Sequence, residues 1–173
     1  MITFKIVILF QHLARLLLGD KDVKFKAVIM AFIVILPLDG FISSPYGLRI
    51  DPFTQQLRLH EGIDIKADYA TPVKTVANGV VTFSGKKNGY GRVVVIDHGK
   101  GFETYYAHLG RAFVSLFDRV AKGDPIGWVG LSGRTTGTHL HFEMRVDGAT
   151  VDPEKEFFLV CLDPALCASV IKN

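Results

Sequence analysis

Cysteine, tryptophan and long apolar runs are all scarce in this chain. Two cysteines, Cys161 and Cys167, stand among 173 residues, both near the C-terminus. Neither adjoins a histidine-rich segment, which argues against a thiolate-held structural zinc. A small disulfide between them is one expectation for an exported chain, and two ordinary thiols are the other. The unbroken apolar run Ala27–Leu36 has ten residues, about half of the roughly 20 that a membrane-spanning helix needs. An excess of one charge is missing too. Pro37 to Val160 carries 14 basic and 14 acidic residues. Such a neutral stretch offers no polyphosphate-binding surface, so no nucleic-acid partner is expected.

The net charge of +3 belongs to residues 1–36, through Lys5, Arg15, Lys21, Lys24 and Lys26 against Asp20 and Asp22. Ile2–Leu18 is apolar but broken by Lys5, Gln11, His12 and Arg15. Lys5, His12 and Arg15 fall on one side of a helix, the pattern of a basic amphipathic segment. The run Ala27–Leu36, preceded by three lysines, suits the core of an export signal. It sits late, however, with no Ala-x-Ala site after it and no cysteine placed for a lipid. The alternative is a buried strand or helix of the fold. Residues 1–36 are therefore expected to be an apolar, helical extension that associates with a membrane, directs export or packs as part of the fold. Residues 158–173 form a C-terminal tail, with helix expected in part of Pro153–Asn173.

Glycine is plentiful, and 16 of the 17 lie between Gly40 and Gly148. Dense glycine between short β-branched runs predicts many turns joining short strands, hence a mainly β fold built of antiparallel sheets. The boundary falls at Pro37-Leu38-Asp39-Gly40. Thr71–Ala77 and Gly79–Ser84 read as a hairpin around Asn78-Gly79. Arg92–Asp97 and Phe102–His108 form a second hairpin around His98-Gly99-Lys100-Gly101. Pro125–Gly130 and His139–Val146 supply further strands, with a turn at Asp147-Gly148. Phe113–Phe117 fits a short helix or a strand equally.

Four of the six histidines bear on chemistry. His139 and His141 alternate with Leu140, so on a strand they share a face. Glu143 continues that face and is either an acid that orients a neighbouring ligand or a plain groove-wall acid. His60 and Asp64 are four apart, but Gly62, Ile63 and Ile65 between and after them favour a loop entering a strand over a helix. His108 ends a strand after Tyr105-Tyr106-Ala107. Two imidazoles on one face, joined by another histidine and a carboxylate, can converge on one cation, and three N/O donors with an open fourth position suit a catalytic zinc. His98 is read as a turn residue and His12 as a polar-face residue.

Taken in order, these motifs resemble a known family. Gly40-Phe-Ile-Ser-Ser-Pro-Tyr-Gly-Leu-Arg49, Asp51-Pro-Phe-Thr54 and His60-Glu-Gly-Ile-Asp64 resemble the opening of the lysostaphin/LytM-type zinc endopeptidases. Thr71-Pro-Val73, Asn78-Gly-Val80, Tyr106-Ala-His108-Leu109 and Val120-Ala-Lys-Gly-Asp124 follow in that family's order. Gly130 to Glu143 is similar to its hallmark segment, and Val151-Asp-Pro153 to its usual end. The resemblance implies a zinc peptidase domain over residues 37–157, a compact antiparallel β-structure with a groove over the metal. It implies one zinc per chain held by His60, Asp64 and His141. His108 and His139 would be catalytic histidines that do not bind the metal. It also implies peptidoglycan peptides as substrate and the cell envelope as location. Two positions depart from the family pattern: Phe117 stands where a glycine is common, and Thr138 where a proline is frequent. A non-catalytic LytM-type module, binding the wall or activating another hydrolase, is the rival within the family. A biotinyl or lipoyl carrier is excluded because none of Met1, Met30 and Met144 adjoins a lysine.

Overall fold

The computed structural model describes residues 36–156. The readings of the N-terminal extension up to residue 35, of His12, and of Cys161, Cys167 and the tail fall outside these residues. Thirteen strands follow one another: β1 (Phe41–Ser44), β2 (Gly47–Ile50), β3 (Leu57–His60), β4 (Ile63–Lys66), β5 (Pro72–Lys74), β6 (Gly79–Lys87), β7 (Gly91–Asp97), β8 (Phe102–Ala107), β9 (Leu109–Ala112), β10 (Arg119–Val120), β11 (Pro125–Val129), β12 (His139–Val146) and β13 (Ala149–Val151). Residues 153–156 add one helical turn.

The strands sort into three sheets. The largest has the order β1-β4-β12-β8-β7-β6-β10, with β13 also pairing β12. A second sheet is β5-β11-β9, and β2 pairs with β3 in a sheet of two. All of these pairings are antiparallel. The alternation of β12 decides its placement. Leu140, Phe142 and Met144 are buried in the core with Ile63, Val94, Ile96 and Tyr106. His139, His141 and Glu143 point to the opposite face and line a groove. Inside the core, the Tyr106 hydroxyl accepts from the Val76 amide at 3.0 Å and from Thr104 at 3.0 Å, so this buried polar group is satisfied.

The 92–108 hairpin forms as expected, in β7 and β8, and Asp147-Gly148 turns β12 into β13. The Asn78-Gly79 hairpin does not form. β5 joins β11 instead, while β6 pairs with β7 and β10. Gly79 lacks the positive φ of a two-residue hairpin turn. It is packed so closely on β7 that a Cβ there would meet the Asp97 carbonyl at 2.5 Å. The Asn78 side-chain oxygen accepts from the Lys122 amide at 2.7 Å, and its backbone carbonyl accepts from His98 at 2.8 Å. These bonds carry the chain from one sheet into another. Phe113–Phe117 is neither helix nor strand. Phe117 itself takes a left-handed φ of 72°, the conformation a glycine adopts without strain.

Candidate metal centre

Three neighbouring strands bring the site together. His141 on β12 lies opposite Asp64 on β4 and opposite Ala107 on β8. His108 follows Ala107 directly, and His139 stands two residues from His141 on the same face. His60 closes β3 and reaches Asp64 across the short turn Glu61-Gly62. That turn presses on β12: a Cβ at Gly62 would meet the Phe142 carbonyl oxygen at 2.3 Å. Glycine is the residue that lets β3 and β4 approach β12 closely enough for His60 to join Asp64 and His141.

The inward atoms form a tight triangle. His60 Nε2 lies 3.1 Å from Asp64 Oδ1 and 3.1 Å from His141 Nδ1, and His141 Nδ1 lies 2.9 Å from Asp64 Oδ1. Outer partners determine what these atoms offer. His60 Nδ1 is 2.7 Å from the Pro45 carbonyl. A carbonyl only accepts, so Nδ1 carries the hydrogen and Nε2 presents a lone pair. His141 Nε2 is 3.0 Å from Glu143 Oε1, so Nε2 donates outward and Nδ1 turns its lone pair inward. Two ring lone pairs and a carboxylate oxygen thus face one another. A positive charge between them relieves the repulsion. Ligands on a tetrahedral zinc are separated by about 3.3 Å, given Zn–N bonds of about 2.0–2.1 Å, close to the spacing here. The donor set fits one cation.

Electrostatics agree. Burial opposes ionisation of Asp64, but the close contacts with His141 and His60, charged when protonated, outweigh it and hold the carboxyl far below the usual range. Burial likewise disfavours charge on His141, yet Asp64 and Glu143 on its two sides raise it to about 9. A proton on His141 supplies the central positive charge when no metal does.

His108 and His139 line the same groove. His108 Nδ1 donates to the Ser132 carbonyl at 2.8 Å, and His139 Nδ1 donates to the Gly137 carbonyl at 2.9 Å. Each ring therefore holds Nε2 as a free base. His139 Nε2 lies 3.6 Å from Asp64 Oδ1. The two ring centroids are 4.9 Å apart, and His108 is 5.8 Å from His141. Burial pushes His108 down to about 4. It lowers His139 too, against the pull of the Asp64 charge. Both are neutral near pH 7 and able to take a proton. His108 also holds a φ of 59°, a strained conformation of the kind kept at functional sites.

Glu143, almost wholly buried, orients His141. Arg145 grips its other oxygen at 2.7 and 3.0 Å, and the Tyr90 hydroxyl donates to Oε1 at 2.8 Å. Tyr90, Arg49, Arg58 and Arg134 all line the groove and were not singled out from sequence. For two of them a signal exists. Leu48-Arg49-Ile50 and Leu57-Arg58-Leu59 mirror each other about the Asp51–Gln56 turn, as the strands of a hairpin do. His98 stands apart, buried between the Asn78 carbonyl and the Thr104 hydroxyl at 2.8 and 2.7 Å, and its role is structural.

An antiparallel β scaffold with a His-Asp-His donor set and further histidines beside it defines the class of the metallopeptidases. The sequence model of peptidase family M23 matches residues 58–153. The chain belongs to that family, which is the one the lysostaphin/LytM-type motifs indicate. It is 51% identical over 112 residues to the DD-carboxypeptidase/endopeptidase Mpg of Neisseria meningitidis serogroup B, covering 65% of this chain and 26% of that protein. The chain thus spans about a quarter of the length of such curated relatives. A zinc-containing peptidase from Vibrio cholerae superposes with a TM-score of 0.64 at 33% identity, covering 68% of this chain and 37% of the other. The catalytic domain of lysostaphin from Staphylococcus simulans gives a TM-score of 0.57 at 32% identity, covering 69% and 90%.

Proposed function

We propose that this protein is a zinc-dependent endopeptidase acting on the peptides of bacterial peptidoglycan in the cell envelope. His60, Asp64 and His141 are assigned as zinc ligands, and His108 and His139 as catalytic histidines. The observation that carries the reading is the triangle of inward donors, each fixed by an outer hydrogen bond, beside two free ring nitrogens in one groove. The named activity of the Neisseria relative supports a D,D-peptide bond over a glycine bridge.

A bound zinc would supply Lewis acidity to the scissile carbonyl and to the attacking water. The remaining work belongs to side chains of this protein. His108 and His139, neutral and anchored through Nδ1, accept a proton at Nε2 and return it to the leaving amine. Protonated, they would stabilise the negative charge that develops on the carbonyl oxygen. Glu143 keeps His141 in the tautomer that ligates. The completeness of this set favours an active enzyme over a non-catalytic LytM-type module. Membrane association or export through residues 1–36 is part of the proposal. Among the described residues no helix is long and apolar enough to cross a membrane.

Purified protein loaded with zinc should release new amino groups from cross-linked muropeptides. His141→Ala should lose metal and activity together. His108→Ala should keep one equivalent of zinc while turnover falls by about 100-fold or more, the scale of a general base. Protein that holds zinc yet releases nothing from several wall types overturns the reading.

A further inference from the structure

The hairpin β2–β3 has two unlike faces. Leu48 pairs with Leu59 and Ile50 with Leu57 on one face, and all four are exposed, Leu48 at 71%. The other face carries His60 and, two cross-strand pairs further along, Arg49 directly opposite Arg58. Both arginines are among the residues lining the groove. Like charges set opposite in a hairpin are destabilising, and the exposed aliphatic face does nothing to offset that cost. The arrangement is therefore poor for stability and well placed beside the metal centre.

The nearby acids leave this pair short of partners. Asp51 bonds Arg134 at 2.6 Å, and Arg134 also stacks on the Phe53 ring with its guanidinium carbon 4.4 Å from the centroid. Arg58 reaches Asp51 at 3.8 Å only, and its side chain is 65% exposed. Arg49 meets Asp64 Oδ2 at 3.3 Å, yet Asp64 is the carboxylate that a metal would claim. Among the described residues neither guanidinium has a two-oxygen carboxylate partner, the geometry arginine forms best.

We propose that Arg58, with Arg49 beside it, binds a free carboxylate on the residue next to the scissile bond and so selects anionic stem-type peptides over neutral ones. This rests on the hydrolase reading above. It names an acidic group common to the cross-link and the chain terminus that the name of the Neisseria relative implies as substrates. In each, the leaving residue keeps its own carboxylate. A glycine bridge offers none there.

The test compares zinc-loaded protein on one cross-linked muropeptide, prepared with the leaving residue's carboxylate free or amidated. Wild type should favour the free acid by about 10- to 100-fold in kcat/KM, the worth of a charge-assisted hydrogen bond. Arg58→Ala should erase that preference through KM with kcat little changed. Arg58→Lys should restore part of it. Equal cleavage of acid and amide by wild type overturns the proposal and leaves the hydrolase reading standing. A preference that persists in Arg58→Ala removes Arg58 from the role. Cleavage of neither substrate, with zinc bound, defeats the hydrolase reading and this proposal with it.

Discussion

At the scale of single residues, the site is governed by which ring nitrogen is tied down. His60, His108 and His139 are each held at Nδ1 by a main-chain carbonyl, from Pro45, Ser132 and Gly137. His141 is held at Nε2 by Glu143. The identities of these histidines are legible in the sequence, and so is Glu143 as a neighbour on the strand face. The carbonyl partners are not, because every residue owns a carbonyl and only the fold decides whose comes near. A pH dependence follows from His141. Its raised value of about 9 means that it is protonated in metal-free protein at pH 7. A ligating imidazole must be neutral, so metal displaces that proton. Apparent zinc affinity should therefore rise by about tenfold per pH unit from pH 7 and flatten above about 9. Calorimetric titration in two buffers of different ionisation enthalpy should show about one proton released per zinc at pH 7. No proton release would refute the assigned linkage.

At the scale of elements, local signals succeeded where the partner strand is also the sequence neighbour. The β7–β8 hairpin and the Asp147-Gly148 turn are of that kind. Asn78-Gly79 fails because its surroundings come from far along the chain: the Lys122 amide, the His98 ring and the Asp97 carbonyl. The arginine pair was overlooked for a related reason, since facing the groove is a property of register and not of residue type. Gly62 shows how a turn sets chemical geometry. Gly62→Ala would drive a methyl into the Phe142 carbonyl, which cannot rotate away. The strain should cost about 1–3 kcal/mol, read from urea melts. It should also weaken zinc binding at least tenfold by pushing His60 from Asp64. A fully stable Gly62→Ala protein with unchanged affinity would show that the turn has slack to give.

At the scale of the whole molecule, the antiparallel β class was legible from glycine spacing and β-branched runs, and the family from the order of its motifs. The division into three sheets was not, because it depends on pairings such as β5 with β11 that no local pattern encodes. That division matters for the metal. Among the described residues β2 and β3 pair only with each other, whereas Asp64 and His141 sit in the largest sheet. Besides the donors themselves, the hairpin is tied across by the long contacts of Arg49 to Asp64 and Tyr46 to Thr150 and by the short Arg134–Asp51 ion pair. Zinc should therefore slow amide exchange across Gly47–His60 far more than across β7 and β8. Equal protection of both regions by zinc would argue against it.

A bound ion would thus act as a rivet between two separately built pieces. The piece it would fasten carries Arg49 and Arg58, so on the proposed reading scarcity of metal would blunt discrimination among peptides as well as stop their hydrolysis. A starved molecule would keep its β core but hold less firmly the wall against which a substrate is read.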